Sequence, residues 1–288
     1  MMKNSRRILA LVLSLVLCLS LFAGCGGEKE PKTDDVKSGV EDGVLTVAME
    51  CSYAPYNWTQ SDDSNGAVQI KGSNDYANGY DVMMAKKICE ANGWKLEIVR
   101  LDWSSLVPAV QSGSIDCVIA GQSMTPERMK EVDFAGPYLY ATIVCMAKAD
   151  SKYANAKSLS DLAGAKCTSQ SETIWYTKCL PQIEGAEILT AKDTAPEMLM
   201  ALETGAVDFI CTDKPTSEGA LIAYSDLKII DLPENSFKVD DGDINIGISV
   251  KKGNTVLKDK LNDALKGMTA DDFDALMREA AKMQPLSK

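Results

Sequence analysis

Two residues of opposite charge follow two similar strands, and together they could hold a zwitterion. One segment reads Leu106-Val-Pro-Ala-Val-Gln-Ser-Gly-Ser-Ile-Asp-Cys-Val-Ile-Ala120, the other Met198-Leu-Met-Ala-Leu-Glu-Thr-Gly-Ala-Val-Asp-Phe-Ile-Cys-Thr212. Each is an apolar helix, a glycine stop, an aliphatic–Asp pair and a buried strand. Gly113 and Gly205 suit the left-handed position that ends a helix. The first segment continues into Gly121-Gln-Ser-Met-Thr-Pro-Glu-Arg128, while the second runs directly into Asp213. Ligands of open α/β sheets sit beyond the carboxyl ends of the strands. Two facing copies of this unit would therefore offer a guanidinium from one side and a carboxylate from the other, the complement of a free α-amino acid. The same residues could equally cap helices, Arg128 its own and Asp213 the one ahead of Pro215, and charge alone leaves both readings open.

Composition removes several other chemistries. The 288 residues contain no histidine, which excludes Ser-His and Cys-His nucleophilic machinery and histidine-based metal sites. Neither a cofactor nor a metal is expected. The formal net charge is −11, and it becomes −14 once residues 1–24, with Lys3, Arg6 and Arg7, are removed. So acidic a body repels nucleic-acid phosphates. Beyond residue 25 the seven cysteines Cys51, Cys89, Cys117, Cys145, Cys167, Cys179 and Cys211 are odd in number and form no Cys-x-x-Cys. Most lie in apolar runs, where cysteine behaves as a small hydrophobe, so unpaired core thiols are expected.

The amino terminus carries an address. Lys3, Arg6 and Arg7 precede an apolar run over 8–22, short of the roughly 20 residues a membrane-spanning helix needs and typical of a secretory signal. Leu21-Phe-Ala-Gly-Cys25 resembles a lipobox, which implies a signal peptide over 1–24, lipid attachment at Cys25 and a membrane-anchored protein on the extracytoplasmic face. The polar stretch over 25–42 cannot bury a core and reads as a flexible tether.

The elements that position the charged pair follow from patterning. A strand is expected at Val44–Met49, a helix over 79–92 stopped by Gly93, a strand over 96–101 and a short helix over 104–112. The alternation predicts an α/β protein with mainly parallel sheets, in which the repeated segment serves once in each of two similar lobes.

The ordered set of motifs resembles the extracytoplasmic solute-binding proteins of polar amino-acid ABC transporters. It comprises Tyr53-Ala-Pro-Tyr56, Gly79-Tyr-Asp81, 103–108, Gly113-Ser-Ile-Asp116, Thr125-Pro-Glu-Arg128, Val132-Asp-Phe134, Pro137-Tyr138, 159–164 and Gly205-Ala-Val-Asp208. The resemblance implies the type II arrangement: two α/β lobes joined by two hinge crossings, lobe one over 43–140 plus 242–288 and lobe two over 141–241. It implies a monomeric receptor, not an enzyme, that binds an amino acid and delivers it to a membrane permease. By the same resemblance Arg128 would clamp the ligand α-carboxylate, helped by Ser123, and Asp213 would pair with the α-ammonium. Tyr53 and Trp103 would sandwich the side chain. Glu50 stands where relatives that take basic ligands place an acid, and Gln122 could hydrogen-bond the far end.

The chain departs from that pattern at Gln170-Ser-Glu-Thr173, where relatives have Gly-Thr after the Gln, and at Gly121, small where some carry a hydroxyl. The Glu172 amide could still meet the carboxylate, but its side chain would repel it unless it turns away or meets a cation. Glu50 and Glu172 together favour a cationic ligand such as lysine, arginine or ornithine. The alternatives are a neutral ligand such as glutamine or cystine, a dehydratase on the same fold with Glu50 or Glu172 as its acid–base group, and a sensor acting through a partner.

Overall fold

The structure, a computed structural model, describes residues 37–285. The expected signal peptide, the lipid attachment expected at Cys25 and most of the expected tether lie outside them. Strand β1 (Val44–Met49), rich in β-branched and aliphatic residues, leads into a small antiparallel sheet made of β2 (Ser52–Tyr53), β3 (Asn57–Gln60), β4 (Val68–Gln69) and β5 (Tyr76–Asn78). Helix α1 (Tyr80–Asn92) then buries Val82, Ala85, Ile88 and Cys89 at helical spacing. It stops at Gly93, and the chain returns as β6 (Lys95–Arg100). A 3-10 turn at Trp103–Ser105 precedes α2 (Leu106–Ser112), which is followed by the two-residue β7 (Cys117–Val118), the short α3 (Arg128–Glu131) and the long β8 (Val132–Tyr140).

The chain next enters a second sheet, contributing β9 (Ile143–Lys148), β10 (Lys166–Thr168), β11 (Glu187–Ile188), α4 (Ala195–Glu203), β12 (Phe209–Asp213), α5 (Lys214–Ala223) and β13 (Leu227–Ile230). It returns through α6 (Asp241–Ile244) to β14 (Asn245–Lys251) and closes with α7 (Thr255–Leu265) and α8 (Ala270–Met283). The result is two α/β lobes. The first sheet has the order β6-β1-β7-β14-β8 and the second β11-β10-β12-β9-β13. The chain crosses between them twice, from β8 to β9 and from β13 to β14.

Both copies of the repeated segment occupy equivalent places: β7 pairs parallel to β1, and β12 pairs parallel to β10. Gly113 and Gly205 end their helical segments with φ of 76° and 74°, as their spacing requires. The expectation of mainly parallel sheets holds for four of the five strands of each large sheet, with one strand reversed in each. β14 is antiparallel to both β7 and β8, and β9 is antiparallel to both β12 and β13. In each sheet it is the strand entering from the other lobe, β14 or β9, that runs against its β-α-β neighbour, which local patterning does not reveal.

The core is apolar and continuous through both lobes, with Leu45, Ile98, Leu106, Tyr138, Phe209 and Leu257 fully or almost fully buried; each such side chain contributes about 1.5–3 kcal/mol. All seven cysteines from Cys51 to Cys211 are buried and unpaired. Among the described residues there is no cluster able to hold a metal, and no helix is long and apolar enough to cross a membrane.

Candidate functional site

The segments that follow β1, β7 and β10 border a small cleft that is closed down to about 10 Å³. Tyr53, Trp103, Gly121, Ser123 and Arg128 line it from the first lobe, and Gln170, Thr173 and Trp175 from the second. The loop after β7 is fastened to β14, with Met124 N–H donating to Asn245 O at 2.8 Å and Gly247 N–H to Gln122 O at 2.9 Å. That lacing places Ser123 beside the short α3, where the Arg128 N–H meets the Thr125 hydroxyl at 3.2 Å.

Arg128 does not cap its own helix. Its guanidinium donates to Ser123 O at 3.0 Å and across the cleft to Glu172 O at 2.6 Å, and it lies 5.2 Å from the centre of the Trp103 ring. Among the described residues no carboxylate lies within ion-pairing distance of it. Burial lowers its pKa to about 10, so it stays cationic at neutral pH.

Asp213 fills the capping role that charge left open. It ends β12 and caps α5, accepting from Thr216 N–H and the Thr216 hydroxyl, each at 2.9 Å. It also accepts from the Tyr53 hydroxyl and, at 3.2 Å, from the Tyr56 hydroxyl of the opposite lobe. Burial raises its pKa, and these hydrogen bonds oppose the rise. The donors it meets are neutral, so an ammonium would be the first cation to reach it.

The aromatic pair is arranged differently from a simple sandwich. Tyr53 stacks on Tyr56 with ring centres 4.6 Å apart and planes 3° from parallel. Trp103 packs under Arg128 and donates its indole N–H to Ser171 O at 3.0 Å. Both rings still border the cleft.

Four of the expected residues fall outside the cleft lining: Asp213, which reaches it only through Tyr53, and Glu50, Gln122 and Glu172. Glu50 is buried, accepting from the Ser52 hydroxyl at 3.0 Å and from the Gln170 amide at 3.3 Å. It lines an adjoining, more open cleft that also holds Arg100, Asp102, Trp103, Ser171 and Glu197. Burial raises its pKa. Gln122 is buried behind the cleft, where its carbonyl accepts from the Ser249 hydroxyl at 2.9 Å. Glu172 has an exposed side chain, and it is the backbone carbonyl that meets Arg128. Its φ of 56° turns that carbonyl inward.

Sequence reasoning missed Tyr56, Gln170, Thr173 and Trp175 as contributors. Tyr56 and Gln170 lay within quoted stretches, and their hydrogen-bonding groups were the available signal. Thr173 lay in the quoted stretch over 170–173, and nothing in the sequence singled out Trp175.

The chain matches the family model of bacterial extracellular solute-binding proteins, family 3, over residues 45–280. It is 26% identical over 262 residues to the arginine-binding extracellular protein ArtP of Bacillus subtilis (strain 168), covering 90% of this chain and 91% of that one. It is 24% identical over 294 residues to the ABC transporter glutamine-binding protein GlnH of the same organism, covering 97% and 99%. Among solved structures it is similar to the amino-acid ABC transporter substrate-binding protein AbpA of Streptococcus pneumoniae bound to L-arginine. There the TM-score is 0.70 and the identity 26%, covering 86% of this chain and 98% of that one.

Proposed function

The chain belongs to the bacterial extracellular solute-binding proteins of family 3, and from that premise we propose that it is the receptor for a cationic amino acid, which it hands to an ABC permease. Proteins of this family bind a solute and do not transform it, so Glu50 and Glu172 are not acid–base catalysts. What supports the proposal is that Arg128 lines the cleft and that Asp213, buried at the end of β12, is hydrogen-bonded to Tyr53 of the same lining. A ligand α-carboxylate would take the guanidinium from the Glu172 carbonyl, and charge-assisted bonds to a planar fork favour that exchange. An α-ammonium would meet Asp213 beside the Tyr53 and Tyr56 hydroxyls.

The preference for a cationic side chain rests on Glu50. It is a buried carboxylate with only an amide and a hydroxyl for partners, a costly state when ionised. A guanidinium or ammonium reaching past Trp103 and Gln170 would offset that cost. Arginine is also the ligand named for ArtP and AbpA, whereas the name of GlnH supports a neutral ligand. A thermal-shift screen of the twenty amino acids with ornithine and cystine, followed by calorimetry, separates the two. Arginine, lysine or ornithine should stabilise the protein. Stabilisation by a neutral or acidic amino acid alone would overturn the cationic assignment.

A further inference from the structure

One carboxylate behind the cleft is fully buried, touches no cleft residue's side chain and has no cation within ion-pairing distance among the described residues. Asp81, in the first turn of α1, accepts from Asn57 Nδ2 at 2.7 Å through one oxygen and from the Tyr138 hydroxyl at 2.7 Å through the other. Each donor is in turn an acceptor. Asn57 Oδ1 receives the Cys51 N–H at 2.7 Å, and the Tyr138 hydroxyl oxygen receives the Gly121 N–H at 2.9 Å. Both residues that donate these N–H groups have left-handed backbones, with φ of 56° at Cys51 and 65° at Gly121. A non-glycine residue holds that conformation only when its surroundings fix it. The two turns follow β1 and β7, and they carry Glu50 to Tyr53 on one side and Gly121 to Ser123 on the other.

We propose that Asp81 is the positioning residue of the receptor: through Asn57 and Tyr138 its two oxygens set both ligand-facing turns at once. The Asn57 arm sets the end of the site that takes the ligand side chain. The Tyr138 arm sets the end that takes the α-carboxylate. The inference rests on the reading that Glu50 and the Ser123–Arg128 loop face the ligand.

Burial pushes the Asp81 carboxyl up to about 7, so its protonation changes under mild conditions. The titratable groups packed around it are the phenols of Tyr56, Tyr80 and Tyr138 and the Cys51 thiol, all held above their ordinary values and therefore neutral. When ionised, Asp81 accepts both bonds. When protonated, one oxygen carries a hydrogen into the place where a donor points, and one arm is released.

The test uses the full chain with arginine as probe and citrulline, its neutral analogue, as comparison. Asp81→Asn should lower arginine affinity roughly 10-fold at a pH of about 8.5. The ratio of wild-type to variant affinity should shrink toward one near pH 5.5. Tyr138→Phe should weaken arginine and citrulline alike, whereas Asn57→Ala should narrow the preference for arginine. A purely structural role for the network would lower the melting temperature without producing this pH profile or this split between the arms. Folded variants that bind arginine within about twofold of wild type would overturn the proposal, and Tyr138→Phe and Asn57→Ala decide it should Asp81→Asn fail to fold. A wild-type chain that ignores arginine would overturn the ligand reading instead. The three variants would then be compared with glutamine as probe, a loss on the same scale upholding the positioning role and unchanged binding overturning it.

Discussion

Asp213 receives hydrogen bonds from both lobes, and Arg128 donates to both. Each therefore already spends its valences on the opposite wall, Asp213 on two phenol hydroxyls and Arg128 on a carbonyl. A bound amino acid has to be better than these neutral partners, and charge is what it adds. Removing one partner of a buried charge pair costs about 2–5 kcal/mol, or roughly 30- to several-thousand-fold in affinity. Arg128→Ala should lose arginine binding on that scale. For Asp213 the informative change is Asp213→Asn, which keeps an oxygen to cap α5 and removes only the charge; truncation to Ala would add about 1 kcal/mol of lost capping. Calorimetry giving near-wild-type affinity in either variant would take that residue out of the site. The pair was legible because two similar segments end in unlike charges. Glu172 and Gln122 lie outside the cleft lining; in a turn no periodicity tells which way a side chain points, and at Glu172 the backbone meets Arg128.

At the scale of elements, α1 is the part on which the first lobe's turns depend. Its opening N–H groups, from Tyr80 and Asp81, donate to the carbonyls of Pro55 and Tyr56 at 3.1 and 2.8 Å. So close an approach needs Gly79, whose φ is 124° and where a Cβ would lie 2.4 Å from the Tyr56 carbonyl oxygen. The clash is with backbone, which cannot swing aside. Gly79→Ala should therefore cost roughly 2 kcal/mol or more and lower the melting temperature by about 4–8 °C. A melting curve within about 1 °C of wild type would contradict this packing account. The sequence showed the helix itself, with its buried face and its stop at Gly93. It did not show why the helix must begin where it does, because the reason is contact with a turn more than twenty residues earlier. The boundaries of β6 and α2 moved by a residue or two for a similar cause: Leu101 N–H bonds to Met49 O beyond the ladder, and a 3-10 turn occupies Trp103–Ser105.

For the whole molecule, two lobes could be inferred from one repeated unit, but the order of strands within each sheet could not. Parallel pairing of β1 with β6 and of β10 with β11 and β12 follows from strand–helix alternation. The antiparallel insertions of β14 and β9 depend on how the chain passes between the lobes. All five strands of the second sheet come from one continuous stretch, 143–230, whereas the first sheet keeps a gap between β7 and β8 that β14 fills. A fragment spanning 143–230 should accordingly fold alone and melt cooperatively; a featureless circular dichroism spectrum with no thermal transition would show that it leans on its neighbour. A ribosome or translocation channel releases this chain from its amino end, so the lobe encoded second would be the first to finish. The half begun earliest would stay open-seamed, its hydrophobic edge waiting for residues 245–251. Holding it in solution through that interval is a task for the cell's holding chaperones, and a slow or stalled delivery would expose that seam rather than the finished lobe.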